Sequence, residues 1–188
     1  LLYKIFMKND LLFGITESGV IHTDQDPPVP LETKFKMVKD SGVYDYFDKT
    51  PPKELEEDYL RYSEKYDLPI LAGGWYYVLG RDEGLLMENL RLGGRLGNLV
   101  HNTQIIMDHA DGSLVSDEQV SETYLKSYEI GEETGCHPTF EVHVNMWSED
   151  FRRIEKVADL VERHGIPFRM TLDHSHVIFK IDNPREQE

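Results

Sequence analysis

Two short stretches of this chain carry side chains that packing alone does not require. In "PTFEVHV", residues 138–144, Glu141 and His143 alternate with apolar residues. In "MTLDHSHVIFK", residues 170–180, Asp173, His174 and His176 follow an apolar run. Side chains alternate between the faces of a strand, so Glu141 and His143 share one face and Phe140, Val142 and Val144 the other. A carboxylate in mid-strand is costly to bury unpaired, so Glu141 is read as functional. Carboxylates and imidazoles on adjacent parallel strands are the ligands of a Mn, Mg, Co or Zn site. Asp173 is a candidate ligand, with capping of a following turn as its structural alternative. His176 is read as functional. A hydrogen-bonded core histidine is the alternative for His143. Asp108 and His109, in "MDHADG", and Trp75, in "GGWYY", fall at the ends of two further strand candidates. Trp75 is either a substrate platform or a core residue. His22, His101, His137 and His164 are placed in loops or at helix ends and carry no chemistry.

The elements around these residues follow a repeating grammar. Ser116 and Gln119 form a capping box before "VSETYLKSYEIGEETG". Ser148 is an N-cap for the apolar stripe Phe151, Ile154, Val157, Leu160 and Val161, which stops at His164-Gly165. Thr50 and Pro51 open a helix with the stripe Leu55, Tyr59, Tyr62 and Tyr66. "LETKFKMVKDSG" and "DEGLLMENLRLGGRLG" are further helices. Between them lie strand candidates starting near residues 11, 43, 69, 103, 138 and 167. Alternation at this spacing predicts right-handed βαβ units and a parallel sheet. No interdomain linker interrupts it.

Two architectures fit: an open six-stranded parallel sheet, or a (β/α)8 barrel, which normally needs roughly 250 residues. No Gly-rich phosphate loop follows the first strand, and "RLGGRLG" ends a helix instead of opening one. Polar residues gathered at successive strand ends favour the barrel, with residues 1–188 as a single domain of about six βα units.

Glu141 and His143 on the fifth strand, with "LDHSH" on the sixth, resemble the xylose-isomerase-like TIM barrels, which include sugar-phosphate isomerase/epimerases and ketose 3-epimerases. The resemblance covers roughly residues 11–180. It implies that Glu141 and Asp173 are metal ligands, and that Glu141 also moves a proton at the carbon beside a ketose carbonyl, through an enediolate. It implies that His176 contacts the substrate, that His143 matches the histidine of a Glu-Asn-His motif (Val142 replacing the Asn), and that His109 stands at the site's mouth. Trp75 joins the substrate-binding candidates. The family's remaining ligands lie on a seventh and an eighth strand, which have no counterpart here. A longer polypeptide or a homo-oligomer is therefore expected, and weak or no activity from these 188 residues alone. A lyase or dehydratase acting on a keto-sugar or keto-inositol shares the proton abstraction and stays open, as does a non-catalytic binding module.

The bulk composition narrows the partners. A formal charge of −15 disfavours nucleic acid and anionic membranes, and weighs against the DNA-repair endonucleases that share the fold. No apolar run approaches the roughly 20 residues of a membrane span. One cysteine, Cys136, rules out an intrachain disulfide framework and suits a cytoplasmic location.

Overall fold

The computed structural model describes residues 11–20 and 27–180. The apolar start "LLYKIF", His22 and the acidic tail from residue 181 lie outside the described residues. The chain divides into two compact units, residues 1–71 and 72–188.

In the first unit β1 (Gly14–Thr16) runs parallel to β2 (Tyr46–Asp48), with Ile15 opposite Phe47. The strand expected from residue 11 is short because a helical turn takes over at Glu17–Val20. Helix α1 (Leu31–Ser41) ends at Gly42, whose φ of 63° only glycine adopts cheaply. Thr50 does not open the next helix: a 3₁₀ turn, Lys53–Leu55, intervenes before α2 (Glu56–Tyr66). Of the expected stripe Tyr59 is buried, whereas Leu55 is exposed. Phe35 stacks on Phe47 at 4.6 Å and meets Tyr59 edge-on. Burial alone would raise the Glu17 carboxyl, but Lys34, Lys49 and Tyr59 bond it and hold it down at about 2.

The second unit holds the candidate site residues. Strands β3 (Ile70–Tyr77), β4 (Val100–Ile105), β5 (His137–Val142) and β6 (Met170–Leu172) pair in chain order, all parallel. Helices α3 (Glu83–Leu96), α4 (Asp117–Thr134) and α5 (Phe151–Glu162) connect them, and α6 (His174–Lys180) follows. The capping box at Ser116 and Gln119 is present in full. His101 and His137 lie in strands and not in loops, His101 fully buried. Leu86, Leu90, Ile105, Val120, Tyr124, Phe140, Trp147, Val157 and Val161 form one continuous core. Glycine shapes the packing of α3 on α4: a Cβ at Gly94 would stand 2.6 Å from that of Thr134. The single thiol, Cys136, is buried and pushed up to about 12 by desolvation, which leaves it chemically inert. No helix among the described residues is long and apolar enough to cross a membrane.

Candidate functional site

Parallel register decides which side chains share a face. Gly74, Asn102 and Thr139 are partners across β3, β4 and β5, and Glu141 is paired with Thr171 of β6. Glu141 therefore rises on the same face as Asn102 and Gln104, two and four residues into β4. Its side chain confirms this. Glu141 is 5% exposed, and its Oε2 accepts from Asn102 Nδ2 at 2.7 Å and from Gln104 Nε2 at 2.5 Å. Both donors are neutral. Among the described residues no cation pairs with this buried carboxylate.

Ser148 fixes the corner at which β5 ends. Its Oγ donates to Glu141 O at 2.5 Å and accepts from His143 N at 3.3 Å, in a fully buried position. The apolar pattern makes Ser148 a helix cap, but Asp150 caps α5, accepting from Arg152 N. A hydroxyl bonding back to its own strand is competing with that capping role.

His143 and His176 lie face to face, ring centroids 3.6 Å apart and tilted by 38°. His143 Nδ1 bonds Val144 O at 2.6 Å. A carbonyl only accepts, so Nδ1 carries the hydrogen and, in the neutral ring, Nε2 is the acceptor. His176 Nδ1 is buried without a partner, and its Nε2 stands 3.6 Å from Asp173 Oδ2.

Asp173 follows β6 directly and caps the helix after it. Its Oδ1 accepts from Ser175 Oγ at 2.6 Å, Ser175 N at 2.8 Å and His176 N at 3.4 Å. The Ser175 hydroxyl leads the effects that hold the carboxyl below its ordinary range. "LDHSH" is thus a strand end, a cap and the first turn of α6, and not a continuous strand. Capping occupies Oδ1 and leaves Oδ2 directed at His176. His174 is exposed at the start of the helix.

Asp108, His109 and Trp75 share no hydrogen bond or ring contact with this group among the described residues. β4 ends at Ile105, so Asp108 and His109 belong to the loop after it, closed by an antiparallel bridge between Asp108 and Leu114. His109 packs over Gly80, with Nδ1 3.2 Å from Asp111 Oδ1. Trp75 is 44% exposed and stacks on Tyr76 at 5.1 Å. Register pairs Trp75 with Thr103 but Tyr76 with Gln104, so Tyr76 shares the Glu141 face. Asn102 and Gln104 join the site without a motif that marks them, and Ser148 joins it in a role other than the cap its position suggests. The alternating polar residues of "VHNTQI" were the available signal for the first two.

The donor set can be matched to a metal by its chemistry. Among the described residues no three His, Cys, Asp or Glu side chains group to hold an ion. Two carboxylates do not complete a zinc centre, which takes three or four protein donors. They suit a harder cation such as Mg²⁺ or Mn²⁺, which is held through one or two carboxylates with waters and substrate oxygens completing the shell. The missing countercharge at Glu141 fits a cation as well.

No family model matches the chain, and no curated protein matches it. Solved structures do. Against D-psicose 3-epimerase from Clostridium cellulolyticum the TM-score is 0.68 at 10% identity, over 92% of this chain and 67% of that one. The likeness is one of fold, an α/β arrangement of parallel βα units as in (β/α)8 barrels. The 3-keto-D-glucoside 4-epimerase from E. coli gives a TM-score of 0.65 at 14% identity, over 94% of this chain and 73% of that one. A probable 3-DHS dehydratase from Bacillus anthracis gives 0.65 at 12% identity, over 94% and 68%.

Proposed function

We propose that the ends of β5 and β6 bind a small sugar or sugar phosphate beside a divalent cation and move a proton at the carbon next to its carbonyl, as an isomerase or epimerase does. One observation carries this reading: Glu141 is buried, held by two neutral amides and without a countercharge among the described residues. Such a carboxylate costs stability unless something positive completes it. Glu141 and Asp173 would hold the cation, which supplies Lewis-acid polarisation of the carbonyl when bound. Glu141 takes the proton from that carbon. His143, its Nδ1 fixed on Val144, presents Nε2 to a substrate hydroxyl, and His176 beside it orients a neighbouring oxygen. Tyr76, on the Glu141 face, offers an exposed aromatic ring to the apolar side of a sugar ring. The epimerases that share the fold support the reaction class. The dehydratase among them favours elimination as the second reading, since it begins with the same proton abstraction. The surplus of acid argues against nucleic acid as partner, and the reduced buried thiol is in keeping with the cytoplasm.

The test is Mn²⁺ binding to the purified chain, followed by deuterium uptake from D₂O into a panel of ketoses and ketose phosphates. Glu141→Gln and Asp173→Asn should each lower Mn²⁺ affinity at least about tenfold, and Glu141→Gln should abolish exchange. A chain that binds no Mn²⁺, or whose variants bind it equally well, is a non-catalytic module instead.

A further inference from the structure

Glu141 is held entirely from one side. Both hydrogen bonds to its carboxylate come from β4, and both converge on Oε2. Its partner on the other side, Thr171 of β6, bonds Thr139 Oγ1 at 2.7 Å and leaves Glu141 alone. Among the described residues Oε1 receives no hydrogen bond. The β4 side is also built to stay in place. Gly74, facing Asn102 across the ladder, has no room for a side chain: a Cβ there would stand 2.9 Å from Asn102 O and 3.0 Å from Asn102 Cβ. Asn102 Oδ1 is buried without a partner, so this amide is retained at a cost that packing does not explain.

We infer that Asn102 and Gln104 are positioning residues that fix Glu141 through Oε2 and so present Oε1 as the oxygen that meets a divalent cation. The inference rests on the reading of Glu141 given above. Two donors on one oxygen remove the freedom of the carboxylate to rotate or to chelate through both atoms. Partners of this kind orient a ligand, and their loss typically costs about 10–100-fold in metal affinity.

The experiment measures Mn²⁺ affinity by electron paramagnetic resonance for the 188-residue chain and for Glu141→Gln, Gln104→Leu and Asn102→Ala, with thermal unfolding of each. Gln104→Leu and Asn102→Ala should each weaken Mn²⁺ about 10–100-fold without a matching fall in melting temperature. A second arm needs neither amide replaced: in the wild-type protein Mg²⁺ should shift the side-chain NH₂ resonances of Gln104 and Asn102, and Glu141→Gln should cancel the shift. If Glu141→Gln loses Mn²⁺ while both amide variants bind it as the wild type does, the positioning role is overturned and the reading of Glu141 stands. Mn²⁺ binding that ignores Glu141→Gln overturns both. Should either amide variant unfold, the Mg²⁺ response of the wild-type resonances decides.

Discussion

His101 and Glu141 are both buried ionisable residues on neighbouring strands, and their surroundings treat them in opposite ways. His101 Nε2 meets Tyr77 OH at 2.7 Å, and Asn89 Nδ2 donates to the same hydroxyl at 2.8 Å. Desolvation pushes the imidazole down to about 4, so His101 is neutral at ordinary pH. An unfolded histidine titrates near 6.5, so the unfolded state binds the extra proton between the two values. The stabilisation is complete above about pH 6.5 and fades as pH falls through about 4, by on the order of 3 kcal/mol in all. Urea unfolding at pH 7.5 and pH 4.5 should show that fall, and His101→Gln should flatten it. Equal pH dependence in the two proteins would place the acid sensitivity elsewhere. Legibility at this scale followed local pattern. Glu141 stood out because a carboxylate in mid-strand is costly to bury unpaired. Its amide partners did not, since neutral Asn and Gln on a strand carry no electrostatic cost that demands an explanation. Asp173 was legible in both its roles, as strand-end acid and as cap, because a carboxylate after a strand and two residues before a serine serves either.

Elements are held in place by a few groups whose function only contacts reveal. Ser148 read as a cap from its position before an acidic first turn. Its hydroxyl instead ties Glu141 O to His143 N, which no periodicity encodes. Ser148→Ala removes the hydroxyl partner of both backbone groups, and should cost about 1–3 kcal/mol in urea unfolding. A loss within the scatter of surface substitutions would show that the corner is fixed by Trp147 packing instead. The helices were more legible, because capping boxes and terminal glycines are local signals. The glycines inside α3 were not, because their reason lies on α4. Gly94→Ala gains up to about 1 kcal/mol of helix propensity, yet its Cβ would stand 2.9 Å from the carbonyl oxygen of Thr134. Overpacking costs about 1–3 kcal/mol, so the variant should melt earlier than the wild type. Gly84→Ala, on the same helix with nothing within 4 Å of its Cβ, should melt slightly later. The pair separates packing from propensity within one element.

At the scale of the whole molecule the alternation of strand and helix was largely legible, because most βα units repeat the same punctuation. The boundary between the two compact units falls inside β3, where the sequence carries no linker composition. Charge is the other global property, and it sets a competition that magnitudes decide. The chain has 35 acidic against 20 basic residues, and the compact state concentrates that repulsion. Against it stand ion pairs, of which Lys36–Asp40, Arg61–Asp58 and Lys65–Glu32 are exposed and each worth at most about 1 kcal/mol. Pairs with less exposed carboxylates, Arg153 and Lys156 on Asp117 and Lys34 and Lys49 on Glu17, are screened less by salt. Raising NaCl from about 0.01 M to about 0.1 M shortens the screening length from roughly 30 Å to roughly 10 Å. That change removes long-range repulsion among the surplus acids before it weakens contacts only a few ångströms long. Thermal unfolding at pH 7.5, where His101 is neutral and the carboxylates are ionised, should therefore shift upward with added salt by a few degrees. A downward shift would mean that the ion pairs outweigh the net charge.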